Sequence, residues 1–384
     1  TSTTPFSRSA KEKGAFLSLV SIFSTMNPFF NLLRVSLGPK GTFKNQISPD
    51  EWERSYDTAR LHAVAGLLYV GIQRLPKELQ PPTELMMEWF VLAKKIEQKN
   101  KLLNLRAAEL TEKFRQDGFR SCILKGQGVA LLYPNPYCRQ SGDIDIWVEG
   151  GRKKVYRYLK EQIGQPLEME FHHAQYPIFE DAEVEVHFIP ANPQWPYSFW
   201  QVNRFTKSLE EEQFSHRVEL PEGVGEIGVP TAEFDRIYSL AHIYKHFFSE
   251  GIGLRQIVDY YYILRQGFTE EERQETVKWL KRIRMYKFAR AMMFVQHRVL
   301  GLEEQYLLCE PDTKEGNFLM QTIMQGGNFS RGRNGRKAGE TKWGHLFRTM
   351  NDNKHLLLHY PRGVIGYPIY SLWHFVWRVS HGYK

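Results

Sequence analysis

This chain is poor in cysteine, has no long apolar run, and carries neither an internal repeat nor a low-complexity tract. Its three cysteines, Cys122, Cys138 and Cys309, make an odd count without a metal-ligand spacing. That excludes a cysteine-bound metal cluster and points to a reducing, cytoplasmic setting. No stretch reaches the roughly 18–20 apolar residues that a spanning helix needs, so no membrane span is expected. Ala15 to Phe23, behind Lys11 and Lys13, has the outline of a signal peptide. The run is short, serines interrupt it and no small-x-small cleavage site follows, so it reads as an amphipathic helix. Thr1 to Ala10 reads as a flexible tail. What is present is ordinary for a folded protein: 42% apolar and 24% charged residues, enough chain for two or three domains. The net charge of +8 favours nucleotides, nucleic acid or other anionic partners without choosing among them.

Helical periodicity runs through the first hundred residues, from Trp52 to Leu75 and, after Pro81-Pro82, from Leu85 to Leu103. Leu102 to Phe119 continues as an amphipathic helix. The texture then changes. Ser121 to Leu124 reads as a strand, Lys125 to Gly128 as a tight turn, and Val129 to Tyr133 as a short helix. Asp143 to Val148 reads as a second strand and Arg152 to Ile163 as a helix. Glu168 to Phe179 and Glu183 to Ile189 read as two further strands. Beyond Pro230 four helices follow, 232–248, 254–265, 270–283 and 286–300. The expected fold class is therefore α+β: a small mixed sheet flanked by N-terminal helices and a C-terminal helical domain. The expected domains are 1–105, 106–230 and 231–384.

The chemistry concentrates in Gly142-Asp143-Ile144-Asp145-Ile146. A strand has a side-chain period of two, so Asp143 and Asp145 share one face while the isoleucines enter the core. Two neighbouring carboxylates repel unless a cation sits between them, and Mg²⁺ takes carboxylate and phosphate oxygens together. In Glu183-Val184-Glu185-Val186-His187 the acidic residues and His187 share a face, so Glu185 can complete a three-carboxylate cluster. Two Mg²⁺ (or Mn²⁺) ions there suit in-line displacement at phosphorus. Upstream, the Lys125-Gly126 turn lets backbone N–H groups approach phosphate oxygens, and Lys125 can neutralise their charge.

Other residues carry two readings. Arg139 either meets a triphosphate, pairs with the acidic cluster or is a surface loop arginine. His187 either binds metal or substrate, orients Glu185 or is structural. His242 and His246 share a helix face, as do Arg255 and Asp259. With Lys245 they can line a nucleotide or acceptor cleft, or Arg255–Asp259 is a plain salt bridge. Zinc is disfavoured because the helix lacks the glutamate of His-Glu-x-x-His. The basic loop Arg331–Lys337 and Trp343, Trp373 and Trp377 suit a polyanion and base stacking, or else a solvated loop and packing.

The succession Ile123-Leu124-Lys125-Gly126, Leu131-Leu132-Tyr133-Pro134, Arg139, Gly142-Asp143-Ile144-Asp145-Ile146 and Val184-Glu185-Val186-His187-Phe188 resembles the uncharacterised bacterial nucleotidyltransferase-like family of the polymerase-beta-like superfamily. The resemblance extends through Leu240 to His246 and Leu254 to Asp259, covering roughly 55–300. It implies a two-metal site, an NTP donor such as ATP, and transfer of a nucleoside monophosphate to a hydroxyl. By position Asp143 and Asp145 match the paired metal ligands, Glu185 the third carboxylate and Gly126 the glycine of the phosphate turn. Gln127 stands where the superfamily commonly has Gly or Ser. The expected catalytic and metal residues are thus Asp143, Asp145 and Glu185. Lys125, Gly126, Gln127, Arg139, His246 and Arg255 are the expected nucleotide contacts. The acceptor is open: a small molecule, protein or RNA. The alternatives are a degenerate nucleotide- or partner-binding protein and a toxin-like modifier of tRNA or protein.

Overall fold

Local signals fix where the helices start. Ser48 and Glu51 form a reciprocal capping box ahead of Pro49–Leu61 (α2), with Pro49 at the first turn. The computed structural model describes residues 28–38, 43, 47–327 and 341–381. The amphipathic segment expected at 15–23, the basic loop 331–337 and the Trp343 side chain lie outside the described residues. Helix α1 is Pro28–Leu37 and α3 is Ala65–Ile72. The single helix expected over 52–75 is in fact α2 and α3, broken where Ala63 takes a positive φ of 55°. The helical periodicity over 85–103, expected to continue to 119, is one helix, Thr83–Gln116 (α4), 34 residues long. Its buried positions Trp89, Ile96, Asn100, Leu103, Ala107, Leu110 and Phe114 recur at helical spacing and form one continuous stripe.

The sheet has four strands, Ser121–Ile123 (β1), Ile144–Val148 (β2), His173–Gln175 (β3) and Val184–His187 (β4), in the order β1-β2-β4-β3. The β1–β2 and β3–β4 pairings are antiparallel and β2–β4 is parallel, so the sheet is mixed. β3 is much shorter than the strand expected over 168–179; Pro177, which has no N–H to donate, follows it closely. Helix Gly151–Ile163 (α5) leads from β2 towards β3. Between the sheet and the C-terminal helices lie elements the sequence reading missed, helices Pro196–Ser208 and Glu210–Ser215 and the hairpin Arg217–Glu219 with Glu226–Gly228.

Strand alternation divides the apolar residues between two cores. Ile123, Ile144, Ile146, Val148, Val184 and Val186 pack with Leu103, Leu110, Phe114, Val155 and Leu159 on one side. Cys122, Leu124 and Trp147 face the other way, into the large cluster built by the N- and C-terminal helices. Each fully buried large side chain contributes about 1.5–3 kcal/mol, and these two clusters hold the sheet from both faces. The C-terminal helices begin with Ala232–Ser249 (α6) and Leu254–Arg265 (α7). Glu270–Arg282 and Tyr286–Phe294 follow, the latter ending in a π turn, 295–299, where a longer helix was expected. Trp373 and Trp377, on the last helix Pro361–Ser380, contact Phe171 at 4.7 and 5.4 Å, so these rings pack against the chain just before β3. No described helix is long and apolar enough to cross a membrane.

Candidate active site

The polar residues of the sheet collect on the face that α6 covers. Ile144 N–H donates to the Glu183 carbonyl at 2.9 Å, which sets the parallel register and puts Asp145 directly opposite Glu185. Asp143 sits one residue ahead of β2, on the same side as Asp145. Oxygens of Asp143, Asp145 and Glu185 come within 4.8 Å of one another. Leu124 N–H donates to the Asp145 carbonyl at 2.9 Å, which brings the next residue over the cluster. Lys125 Nζ then lies 2.8 Å from Asp145 Oδ2.

Gly126 turns the chain here with φ 72° and ψ −108°, a conformation in which a side chain would be strained. The helix that follows is a single turn, Gln127–Ala130. Gln127 does not aim its amide at the cavity. Its side chain is buried, and Nε2 donates to Asn104 Oδ1 at 3.0 Å on α4. The expected amide contact to phosphate is therefore replaced by a contact to the helix beneath, and only the Gln127 backbone remains at the turn.

Two cavities meet at Lys125, Asp143 and His242. One, of about 180 Å³, is lined by the three carboxylates together with His172, His173, His187, Lys245 and His246. The other is lined by Gly126, Arg139, Tyr238, Arg255 and Asp259. Gly142, Asp143 and Arg255 also border an open cleft of about 810 Å³. His246 borders the first of these cavities and Arg255 the second, on opposite sides of Lys125. His246 Nδ1 lies 2.9 Å from Glu250, and Arg255 donates to the Gln140 carbonyl at 2.8 Å.

Arg139 is a buried arginine rather than a surface one, and its partner is not the acidic cluster. Nε and Nη2 each donate to Asp259 at 2.8 Å, and Nη1 donates to Ser141 at 3.0 Å. Tyr133 donates to the same Asp259 carboxylate at 2.7 Å. The plain salt bridge expected of Asp259 with Arg255 is made with Arg139 instead. Its effect is to tie the loop before Asp143 to α7.

The electrostatics follow from this crowding. Asp145 pushes the Asp143 carboxyl up, with Lys125 opposing. Burial pushes Asp145 up too, but Lys125 and His187 outweigh it and hold that carboxyl well below the ordinary range. Glu185 is likewise penalised by burial, yet the His187 hydrogen bond and the nearby imidazoles bring it down to about 2. Burial works against the Lys125 ammonium, and the three carboxylates more than restore it. His187 Nε2 lies 2.9 Å from Asp145 Oδ1, and its pKa is raised because the hydrogen bonds to Asp145 and Glu185 exceed the burial penalty. Burial pushes His242 and His172 well below the ordinary histidine value and carries His173 down to about 3.

Several residues of the site escaped the sequence. Asn100 and Asn104 break the apolar stripe of α4 exactly where it passes under the turn. Asn100 Nδ2 donates to the Tyr137 and Arg139 carbonyls at 2.9 and 2.6 Å, and its Oδ1 accepts from Ser141 at 2.8 Å. The signal was there, two asparagines four residues apart on a buried face. His172, His173 and Gln175 are the others; Gln175 donates to Glu185 at 2.9 Å. Neither candidate metal-ligand group among the described residues includes His242 or His246.

A cluster of acidic oxygens on adjacent strands beside a lysine-glycine turn is the arrangement of a nucleotidyltransferase-like core. The family described as uncharacterised nucleotidyltransferase matches residues 48–301, and the chain belongs to it. A search of curated proteins finds no match. Among solved structures, the chain is similar to an antigenic nucleotidyltransferase-like protein from Paracoccidioides brasiliensis. The two are 14% identical with a TM-score of 0.32, over 51% of this chain and 91% of that one.

Proposed function

We propose that this protein is a divalent-metal-dependent nucleotidyltransferase that moves a nucleoside monophosphate from an NTP to a hydroxyl acceptor, acting in the cytoplasm. The observation that carries the reading is the convergence of Asp143, Asp145 and Glu185 within 4.8 Å, next to Lys125 and Gly126. Their donor set is all oxygen, and its mutual repulsion is relieved in the fold by Lys125 and His187. That chemistry fits Mg²⁺ or Mn²⁺. Bound there, the ions supply charge neutralisation for an in-line displacement.

The chain's own residues divide the remaining work. The acceptor oxygen bonds to the α-phosphorus as the bond to the bridging oxygen breaks, and pyrophosphate leaves. Asp143, the carboxylate that its neighbour pushes up, is the member best suited to take the acceptor's proton. Lys125 transfers its contact from Asp145 to phosphate oxygen. Arg139 and Asn100 hold the loop that presents Asp143, and Arg255 borders the open cleft, whose volume suits a nucleotide. In this proposal 106–230 is the catalytic unit between helical flanks.

The non-catalytic alternative rested on Gln127. With its side chain turned to Asn104, that residue no longer argues for it. The test is incubation of the full chain with each labelled NTP, Mg²⁺ and a cell extract, followed by separation of RNA, protein and small molecules. Label should enter one class with pyrophosphate release, and Asp143→Asn and Asp145→Asn should abolish it with circular dichroism unchanged. Full activity in the double variant overturns the assignment.

A further inference from the structure

The acidic cluster has a second side. We propose that His173, Glu185 and His187 bind one divalent ion of the transition-metal class (Zn²⁺, Co²⁺ or Mn²⁺), separate in kind from the all-oxygen set that Glu185 shares. This deepens the reading above, and it rests on that reading only through Glu185.

Register builds the donor set. His173 on β3 lies opposite His187 on β4 in the antiparallel pairing, and Glu185 precedes His187 by one side-chain period. All three therefore project from one face. One donor atom of each lies within 4.8 Å of the others, and all three line the same 180 Å³ cavity. His173 Nε2 is 3.7 Å from Glu185 Oε1, and His187 Nε2 is 3.7 Å from Glu185 Oε2. Two imidazoles with a carboxylate form a borderline donor set, which suits these metals better than Mg²⁺.

The outer contacts fix the tautomer that a metal needs. Lys245 Nζ, which can only donate, lies 3.4 Å from His172 Nε2, so that nitrogen accepts. His173 Nδ1, 3.1 Å from the same atom, must then carry the hydrogen and donate. His173 Nε2 is left with a free lone pair facing Glu185. An outer N–H bond of this type is what orients a metal-binding imidazole. His172 Nδ1 in turn carries a hydrogen and lies 3.3 Å from the Asn192 amide. Placing the amide oxygen there satisfies both, and Asn192 Oδ1 has no partner in the opposite orientation. His187 is buried, and its Nε2 stands between Asp145 Oδ1 at 2.9 Å and Glu185 Oε2 at 3.7 Å, the position from which an imidazole nitrogen can join the carboxylates on one ion. A metal ion takes the place of the His187 proton between Asp145 and Glu185.

The experiment uses the full chain, stripped with EDTA and titrated with Co²⁺, read by visible absorption and calorimetry. Wild type should bind Co²⁺ with ligand-field bands. His173→Gln should lose at least tenfold in affinity together with those bands, and His172→Gln, which removes only the outer contact, should weaken binding about 10–100-fold. Asp143→Asn should keep the bands. Circular dichroism confirms that each variant is folded. Unchanged bands and affinity in both histidine variants overturn the proposal. So does wild type that takes up no Co²⁺. Loss in Asp143→Asn with retention in His173→Gln places the ion on the carboxylates, which overturns this inference and leaves the transferase reading standing.

Discussion

Lys125→Met removes the lysine in direct contact with the carboxylate cluster and nearly preserves the volume of the side chain. Asp145 is 1% exposed and Lys125 23%. Breaking a buried pair from one side costs about 3–5 kcal/mol because the stranded charge stays buried. The partial exposure of Lys125 favours the lower end, about 3 kcal/mol. Urea unfolding at pH 7 measures it. The pH dependence has a definite sign. Asp145 is held below its ordinary value, so its contribution is present above about pH 4 and is lost as pH falls further. Lys125 is held above its ordinary value, so its part is present below about pH 10 and is lost above. The variant and wild type should therefore differ most between these limits and converge in acid. Pairing the change with Asp145→Asn should recover part of the loss, since a neutral amide is not stranded. Mg²⁺ at a hundredfold excess over its dissociation constant should restore about 2.7 kcal/mol to the single variant. A Lys125→Met protein as stable as wild type at pH 7, or one with the same deficit at pH 3, refutes the reasoning.

Three further outcomes follow from buried polar groups. Gln127→Ala strands Asn104 Oδ1 and should cost about 1–3 kcal/mol in urea unfolding, while calorimetry should show NTP affinity unchanged. Asp259→Asn leaves the buried Arg139 guanidinium without its carboxylate. It should cost about 3–5 kcal/mol in the same assay, and Arg139→Lys should not rescue the fork geometry. Asp235 lies buried on α6, and burial pushes its carboxyl up to about 8. The unfolded chain ionises it near pH 4, so stability falls as pH rises from about 4 to 8. Asp235→Asn should remove this penalty, at most about 4 kcal/mol at pH 7, and raise the melting temperature most near pH 8.

The carboxylates were legible because their signal is local. Alternation in Asp143 to Val148 and in Glu183 to Phe188 marks both strands and both faces, and the family resemblance orders them. What the sequence hid is long-range or geometric. Gln127 looks like a phosphate contact until α4 brings Asn104 under it from 23 positions earlier. Arg139 finds Asp259 across 120 positions. His172 and His173 stood in an expected strand, but only the pairing of β3 with β4 turns His173 towards Glu185, with His172 behind it. Ala63 has no propensity that announces a break, and the His62 carbonyl beside it accepts from the Arg255 N–H at 3.2 Å, a contact with the later chain that no local signal shows.

The division of the sheet residues between two cores also sets where this chain can change in length. One residue lost from β2 would exchange its faces, sending Asp145 into the apolar core and an isoleucine over the cavity. The parallel partner β4 is bound by the same rule, because Glu185 is useful only opposite Asp145. Between them, 149–172 passes through α5 and an irregular stretch, Gly164 to Phe171, much of it exposed. Insertions in relatives should therefore gather there, with the spacing inside each strand kept to the residue.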